Sequence, residues 1–174
     1  MVERYNKVQT IIHWLVAALI IFLLITGTFV LSEMPNSNPQ KINNLTIHAA
    51  LGALAGLLVI TRVVVALRTP QPPHVTSANA LTTRLGAMAP KVLNLLSLLV
   101  AISGLVMGVG SGLLELITTG VGALPDTFEG QPVRIIHGLS SKLLMAAVLF
   151  HMLAALYHQF VLRDSIFKRI TLFR

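Results

Sequence analysis

The chain has 174 residues, of which 55% are hydrophobic and only 11% charged, with a mean hydropathy of +0.80. Soluble domains carry about 25% charged residues, so a chain this poor in charge cannot cover a water-facing surface, and a soluble globular domain is excluded. There is no cysteine, which removes disulfides, iron–sulfur clusters and thioether-linked haem from consideration. The net charge of +7 belongs with membrane topology rather than with nucleic acid, because basic residues in membrane proteins mark the cytoplasmic side.

Roughly 20 apolar residues span a bilayer core as a helix, and four stretches meet that length. The first is expected over 8–31. It is longer than the roughly 7–15 apolar residues of a signal peptide, and it ends at Glu33-Met34-Pro35 rather than at small residues, so it reads as a retained helix. The second is expected over 42–67, with Arg62 near its far end. A loop opening Pro70-Gln71-Pro72-Pro73 leads to the third, over 91–114. A longer connection with Gly120, Gly122 and Pro125 follows, whose apolar part from Leu113 to Ile117 reads as a short interfacial helix. The fourth is expected over 132–162, opened by Pro132, a residue suited to the first helical turn.

The expected architecture is an all-α, integral membrane, four-helix up-down bundle forming a single domain over 1–174. Charge supports the even count. Arg4, Lys7, Arg62, Arg68, Arg84, Lys91, Arg163, Lys168, Arg169 and Arg174 fall on one side. Lys41, Arg134 and Lys142 fall on the other, with Glu33, Glu115, Asp126 and Glu129. The positive-inside rule then puts both termini in the cytoplasm.

Five of the six histidines lie in or at the edge of these spans: His13, His48, His137, His151 and His158. Ionisable side chains at membrane depth are costly and usually functional, although one histidine alone is equally well explained by a hydrogen bond to a neighbouring helix. Spacing separates these readings. His137 and His151 are fourteen residues apart, a rise of about 21 Å and a rotation about 40° short of four turns, so both project from one face at two depths. In an up-down bundle His48 meets His137 in the outer half, and His13 meets His151 in the inner half. Two cross-helix pairs are what two bis-histidine haems require, one imidazole on each side of each porphyrin. Zinc would need four ligands at one depth. A di-iron site would need acids inside the bundle, and all six acids lie at ends or in loops.

Arg62 lies fourteen residues after His48. A buried guanidinium needs an anion, and a propionate of the inner haem would serve; snorkelling to the headgroups is the other reading. Gly52 with Gly56, and Gly104 with Gly108, either let helices approach or make room for a flat porphyrin. His158, seven residues past His151 and followed by Asp164, could hydrogen-bond a quinone carbonyl and hand over a proton, or sit at headgroup level. His74, in the proline-rich loop, reads as solvent-exposed, and Trp14 and Tyr157 as interfacial aromatics.

These residues together resemble the bacterial cytochrome b561 family, the short four-helix kind of the inner membrane, over essentially the whole chain. The resemblance is carried by Arg4-Tyr5-Asn6-Lys7-Val8-Gln9 before His13-Trp14-Leu15-Val16, by Ile47-His48 with Arg62 downstream, and by Arg68-Thr69-Pro70. Gly104-Leu105-Val106-Met107, His137, His151, His158 and Arg163-Asp164-Ser165 complete it. It implies two haems b (iron protoporphyrin IX), with His13, His48, His137 and His151 at the ligand positions and His158 at a position associated with quinone. It further implies respiratory electron transfer with ubiquinone, in one branch with superoxide as electron donor. The chain departs from the pattern at Gln159, where relatives often carry a second histidine, and over Gly86-Ala87-Met88-Ala89-Pro90. Three functions follow as expectations: an oxidoreductase passing electrons from an outer-side donor such as superoxide to ubiquinone, an electron-carrying subunit for a periplasmic dehydrogenase or hydrogenase, or a non-redox helical membrane protein. The expected partners are the lipid bilayer and quinone, with no nucleic acid.

Overall fold

A computed structural model describes residues 4–73, 80–128, 131–164 and 166–171. His74, Glu129, Ser165 and Arg174 lie outside them. The described residues are all helical where regular, and four helices are long and apolar enough to cross a membrane.

Helix α1 covers Lys7–Thr26 and is prolonged by a π-helical turn over Gly27–Leu31. Asn6 opens it with a reciprocal cap. Its side-chain oxygen accepts from the Gln9 backbone N–H at 2.9 Å, and its own N–H donates to Gln9 Oε1 at 3.1 Å, so two otherwise unpaired groups are satisfied. Gln9 also donates from Nε2 to Thr69 Oγ1 at 2.7 Å, tying the start of α1 to the end of α2. Helix α2 spans Lys41–Arg68 and stops where Thr69 turns extended ahead of Pro70, the backbone region a following proline enforces. At the other end of α2, Lys41 is buried and donates from Nζ to the carbonyls of Leu31 at 2.5 Å and Met34 at 2.6 Å. It satisfies acceptors left open where α1 ends.

Helix α3 spans Ala80–Gly110, which corrects the expectation of 91–114 at both ends. Pro90, just ahead of the expected start, lies inside the helix. It removes one hydrogen bond, to the Gly86 carbonyl four residues back, and the helix continues through it. The far end comes early because Gly112 adopts φ +72°, a left-handed conformation that glycine takes without strain. Helix α4, Leu113–Thr119, follows at once, and helix α5 spans Pro132–Tyr157, prolonged by a second π turn over His158–Leu162. A 3₁₀ turn at Ile166–Ile170 ends the described chain.

Around the bundle α1 packs on α2, α2 on α3 and α3 on α5, whereas α1 and α5 barely touch. A narrow apolar cleft of about 150 Å³ separates them, lined by Ile21, Leu24 and Ile25 of α1 and Met145, Val148, Leu149 and Met152 of α5. Two small cores lie apart in depth. One joins Ile12, Val16 and Val59. The other joins Leu31, Leu45 and Leu113 beneath the α4 connection. Large apolar side chains such as Leu57, Leu95 and Phe150 point outward, as they do where lipid is the solvent. At the end of the bundle that holds the termini, the 3₁₀ turn folds back under α1. Trp14 Nε1 donates to the Ile170 carbonyl at 2.9 Å, and the Tyr5 N–H donates to the Arg169 carbonyl at 3.1 Å.

Candidate functional site

Four histidines meet as two pairs. His13 of α1 faces His151 of α5 with ring centroids 6.5 Å apart and planes at 70°. His48 of α2 faces His137 of α5, again at 6.5 Å, with planes at 79°. An imidazole nitrogen binds a metal at about 2.0–2.1 Å and lies about 1.2 Å from its ring centroid, so two imidazoles on opposite sides of one ion have centroids about 6.5 Å apart. Both pairs therefore have the spacing of axial ligands to a single iron. Among the described residues no group of three or more His, Asp or Glu is placed to hold a metal ion. Two imidazoles leave a bare zinc ion two ligands short, whereas haem brings four nitrogens of its own, and the donor set fits it.

The pair on the α4 side, the outer one in the orientation above, is closely framed. His137 Nδ1 lies 3.1 Å from the Val100 carbonyl and 3.2 Å from Ser103 Oγ. A carbonyl only accepts, so Nδ1 carries the proton and Nε2 keeps its lone pair, the arrangement that orients metal-bound histidine elsewhere. Ser103 Oγ itself donates to the same carbonyl at 3.0 Å. Two glycines make room for the rings. A Cβ on Gly104 would stand 3.0 Å from His137 Cε1, and one on Gly27 would stand 3.2 Å from His48 Cε1. Gly27 also begins the π turn of α1, and such turns collect at functional sites. His48 Nδ1 is buried without a hydrogen-bond partner among the described residues, a situation costing about 1–3 kcal/mol.

The other pair is open. The His151 ring belongs to an exposed residue, and neither His13 nor His151 is hydrogen-bonded by a described residue. Trp14 stands against His13, with ring centroids 5.3 Å apart. Arg62 is half-buried and close enough to act electrostatically on both rings. None of the six acids lies within the four spans, and no described residue accepts a hydrogen bond from Arg62. A propionate fits this unmatched cation.

His158 belongs to neither pair. It starts the second π turn, and its Nδ1 lies 2.5 Å from Asp164 Oδ2. Arg163 turns left-handed, at φ 54°, to bring that carboxylate back, and Asp164 Oδ1 is held by the Ile166 N–H at 3.2 Å. The neighbouring cavity, about 320 Å³, is lined by Gln159, Phe160, Arg163 and Lys168 rather than by His158.

Of the four helix glycines picked out in the sequence, Gly104 seats an imidazole and Gly56 lets α3 approach, 3.0 Å from Ala101 Cβ. Gly52 and Gly108 face open space. Gly27, Ser103 and the Val100 carbonyl were not foreseen. The only sequence signal for them was Ser103 standing beside Gly104.

A four-helix membrane bundle in which three helices bring imidazoles together in pairs has the makings of a membrane cytochrome of b type. The chain belongs to the prokaryotic cytochrome b561 family, whose model matches residues 4–172. It is also 27% identical over 171 residues, 97% of its own length and 96% of the relative's, to a protein of Yersinia pestis named probable superoxide oxidase CybB. It is thus a multi-pass protein of the bacterial inner membrane that binds haem b and carries electrons.

Proposed function

We propose that the chain holds two haems b, one between His13 and His151 and one between His48 and His137, and passes electrons from an outer-side donor to ubiquinone. The observation that carries this is the same 6.5 Å separation in two imidazole pairs whose α5 members are fourteen residues, about 21 Å of helix, apart. Bound haem supplies a one-electron ferric–ferrous couple at each level. The protein supplies four imidazoles held across the bundle, a guanidinium at Arg62 for an inner propionate, and an apolar surround that keeps water from the iron. Ten basic residues at one end against three at the other put both termini in the cytoplasm, with the His13–His151 pair on that side.

At the inner end, the Asp164 carboxylate accepts from His158 Nδ1–H, which fixes the tautomer and leaves Nε2 to donate to or accept from a quinone carbonyl. Reduction of one ubiquinone takes two electrons and two protons, and His158 is placed to relay protons from the cytoplasmic face. The His158→Ala variant should keep both haems and reduce quinone more slowly. An unchanged rate would remove this role.

The Yersinia pestis relative's name favours superoxide as donor: two superoxide anions give one electron each, leaving as oxygen, while one ubiquinone becomes ubiquinol. The outer charge favours a second reading. Lys41, Arg134 and Lys142 stand against Glu33, Glu115, Asp126 and Glu129, so little net field draws in an anion. A periplasmic dehydrogenase or hydrogenase as donor fits that surface. Supplying superoxide and a ubiquinone analogue to the purified protein separates the two: quinol forming faster than without protein supports superoxide, and no acceleration leaves the protein partner.

A further inference from the structure

Arg134 stands in the first turn of α5, where a long basic side chain has an easy course. The Cα–Cβ bond of a helical residue tilts toward the helix N-terminus, so extension in that direction would carry the guanidinium out to the headgroups and water, as snorkelling residues do. It does the opposite. Its Nη1 reaches one turn deeper and lies 2.9 Å from the point where a side chain on Gly138 would begin. Only glycine leaves that space. The guanidinium then acts electrostatically on His137 and on Lys41. No described residue accepts a hydrogen bond from it, and the four spans contain no carboxylate. A cation drawn inward on the His137 side of the outer pair, with no described carboxylate to receive its donors, repeats at this end what Arg62 provides at the other.

We propose that Arg134, seated on Gly138, is an anion-binding residue of the outer site whose ligand is a carboxylate, a propionate of the outer haem. This rests on the two-haem reading. Lys41 is less suited to the part, since two of its three ammonium donors already go to the Leu31 and Met34 carbonyls. A small anion from the outer solution would satisfy the same guanidinium, and the experiment is arranged to separate the two sources.

The test uses the holoprotein in a His151→Ala background, where the outer haem titrates alone, and compares Arg134, Arg134→Lys, Arg134→Gln and Gly138→Ala by spectroscopic redox titration. A cation beside a propionate favours the ferrous state, because it offsets negative charge at the haem. Arg134→Gln should therefore lower the outer midpoint potential, and Arg134→Lys should lower it less. Gly138→Ala, which keeps the charge but denies it its seat, should move it in the same direction as Arg134→Gln. Repeating the titration with added sulfate separates the sources: a propionate leaves the potential of the unmutated Arg134 protein insensitive to sulfate, and a sulfate-dependent potential assigns the site to external anions and overturns the proposal. An unchanged potential in Arg134→Gln, with the haem retained, overturns it as well. If Gly138→Ala fails to fold, Arg134→Gln and Arg134→Lys still decide. A chain that binds no haem in the unmutated form ends the two-haem reading and this proposal together, whereas two haems with an indifferent Arg134 end only the latter.

Discussion

The two histidine pairs share one separation and differ in nearly everything around them. The outer pair sits where α5 packs fully on α3: Gly104 lies under one ring, Gly27 beside the other, and a backbone carbonyl and a serine hold His137. The inner pair bridges α1 and α5, the two helices that scarcely touch; the His13 ring leans on Trp14, and both rings lie near Arg62 rather than against described hydrogen-bonding partners. The difference teaches that one ligand geometry can be set in two ways. At the outer level the protein packs both imidazoles against glycines and holds His137 by hydrogen bonds to the Val100 carbonyl and Ser103. At the inner level, on the two-haem reading, the bound haem would align them, and Arg62 would match its charge.

The largest test of this contrast removes a ligand from each pair. His137→Ala should lose the outer haem and His151→Ala the inner one, each halving the haem-to-protein ratio by pyridine haemochrome assay. Retention of both haems in both variants would show that the pairing is wrong. A sharper test adds a single methyl group. Gly104→Ala places a carbon about 3.0 Å from the His137 ring, so the ring must shift by a few tenths of an ångström off its ligand position, which should deplete the outer haem and spare the inner. Equal depletion of both would mean that the glycine supports the bundle rather than the ring. Next in size, Arg62→Gln should lower the midpoint potential of the inner haem, by roughly 40–90 mV if the lost interaction is about 1–2 kcal/mol, and leave the outer potential in place. The smallest effect is expected from Ser103→Ala. The Val100 carbonyl still holds His137 Nδ1, so only about 1 kcal/mol of local support is lost, visible as a modest fall in the temperature at which the outer haem dissociates.

Much of this bundle was legible in the sequence because lipid imposes simple rules. Apolar runs of helical length, free of acidic residues, mark the four spans, and fourteen-residue spacing puts His137 and His151 on one face at two depths. What escaped was local and backbone-borne. The helix runs ten residues ahead of Pro90, although an interior proline costs a hydrogen bond and crowds the preceding turn. Gly112 ended α3 through a dihedral angle that no hydropathy pattern records. The seats at Gly27 and Gly138 depend on which atoms approach from elsewhere, His48 in one case and the guanidinium of Arg134 in the other, and a glycine in a membrane helix does not announce its visitor. Lys41 and Arg134 were read alike as topology charges, but one caps carbonyls and the other turns inward.

The most direct measurement is the haem content and spin state of the purified, oxidised protein, by haemochrome assay together with electron paramagnetic resonance. Two imidazole pairs, each spaced to grip one iron from opposite sides, should give two low-spin ferric haems per chain. A single haem per chain, or a high-spin signal from an iron lacking its second imidazole, would contradict the assignment.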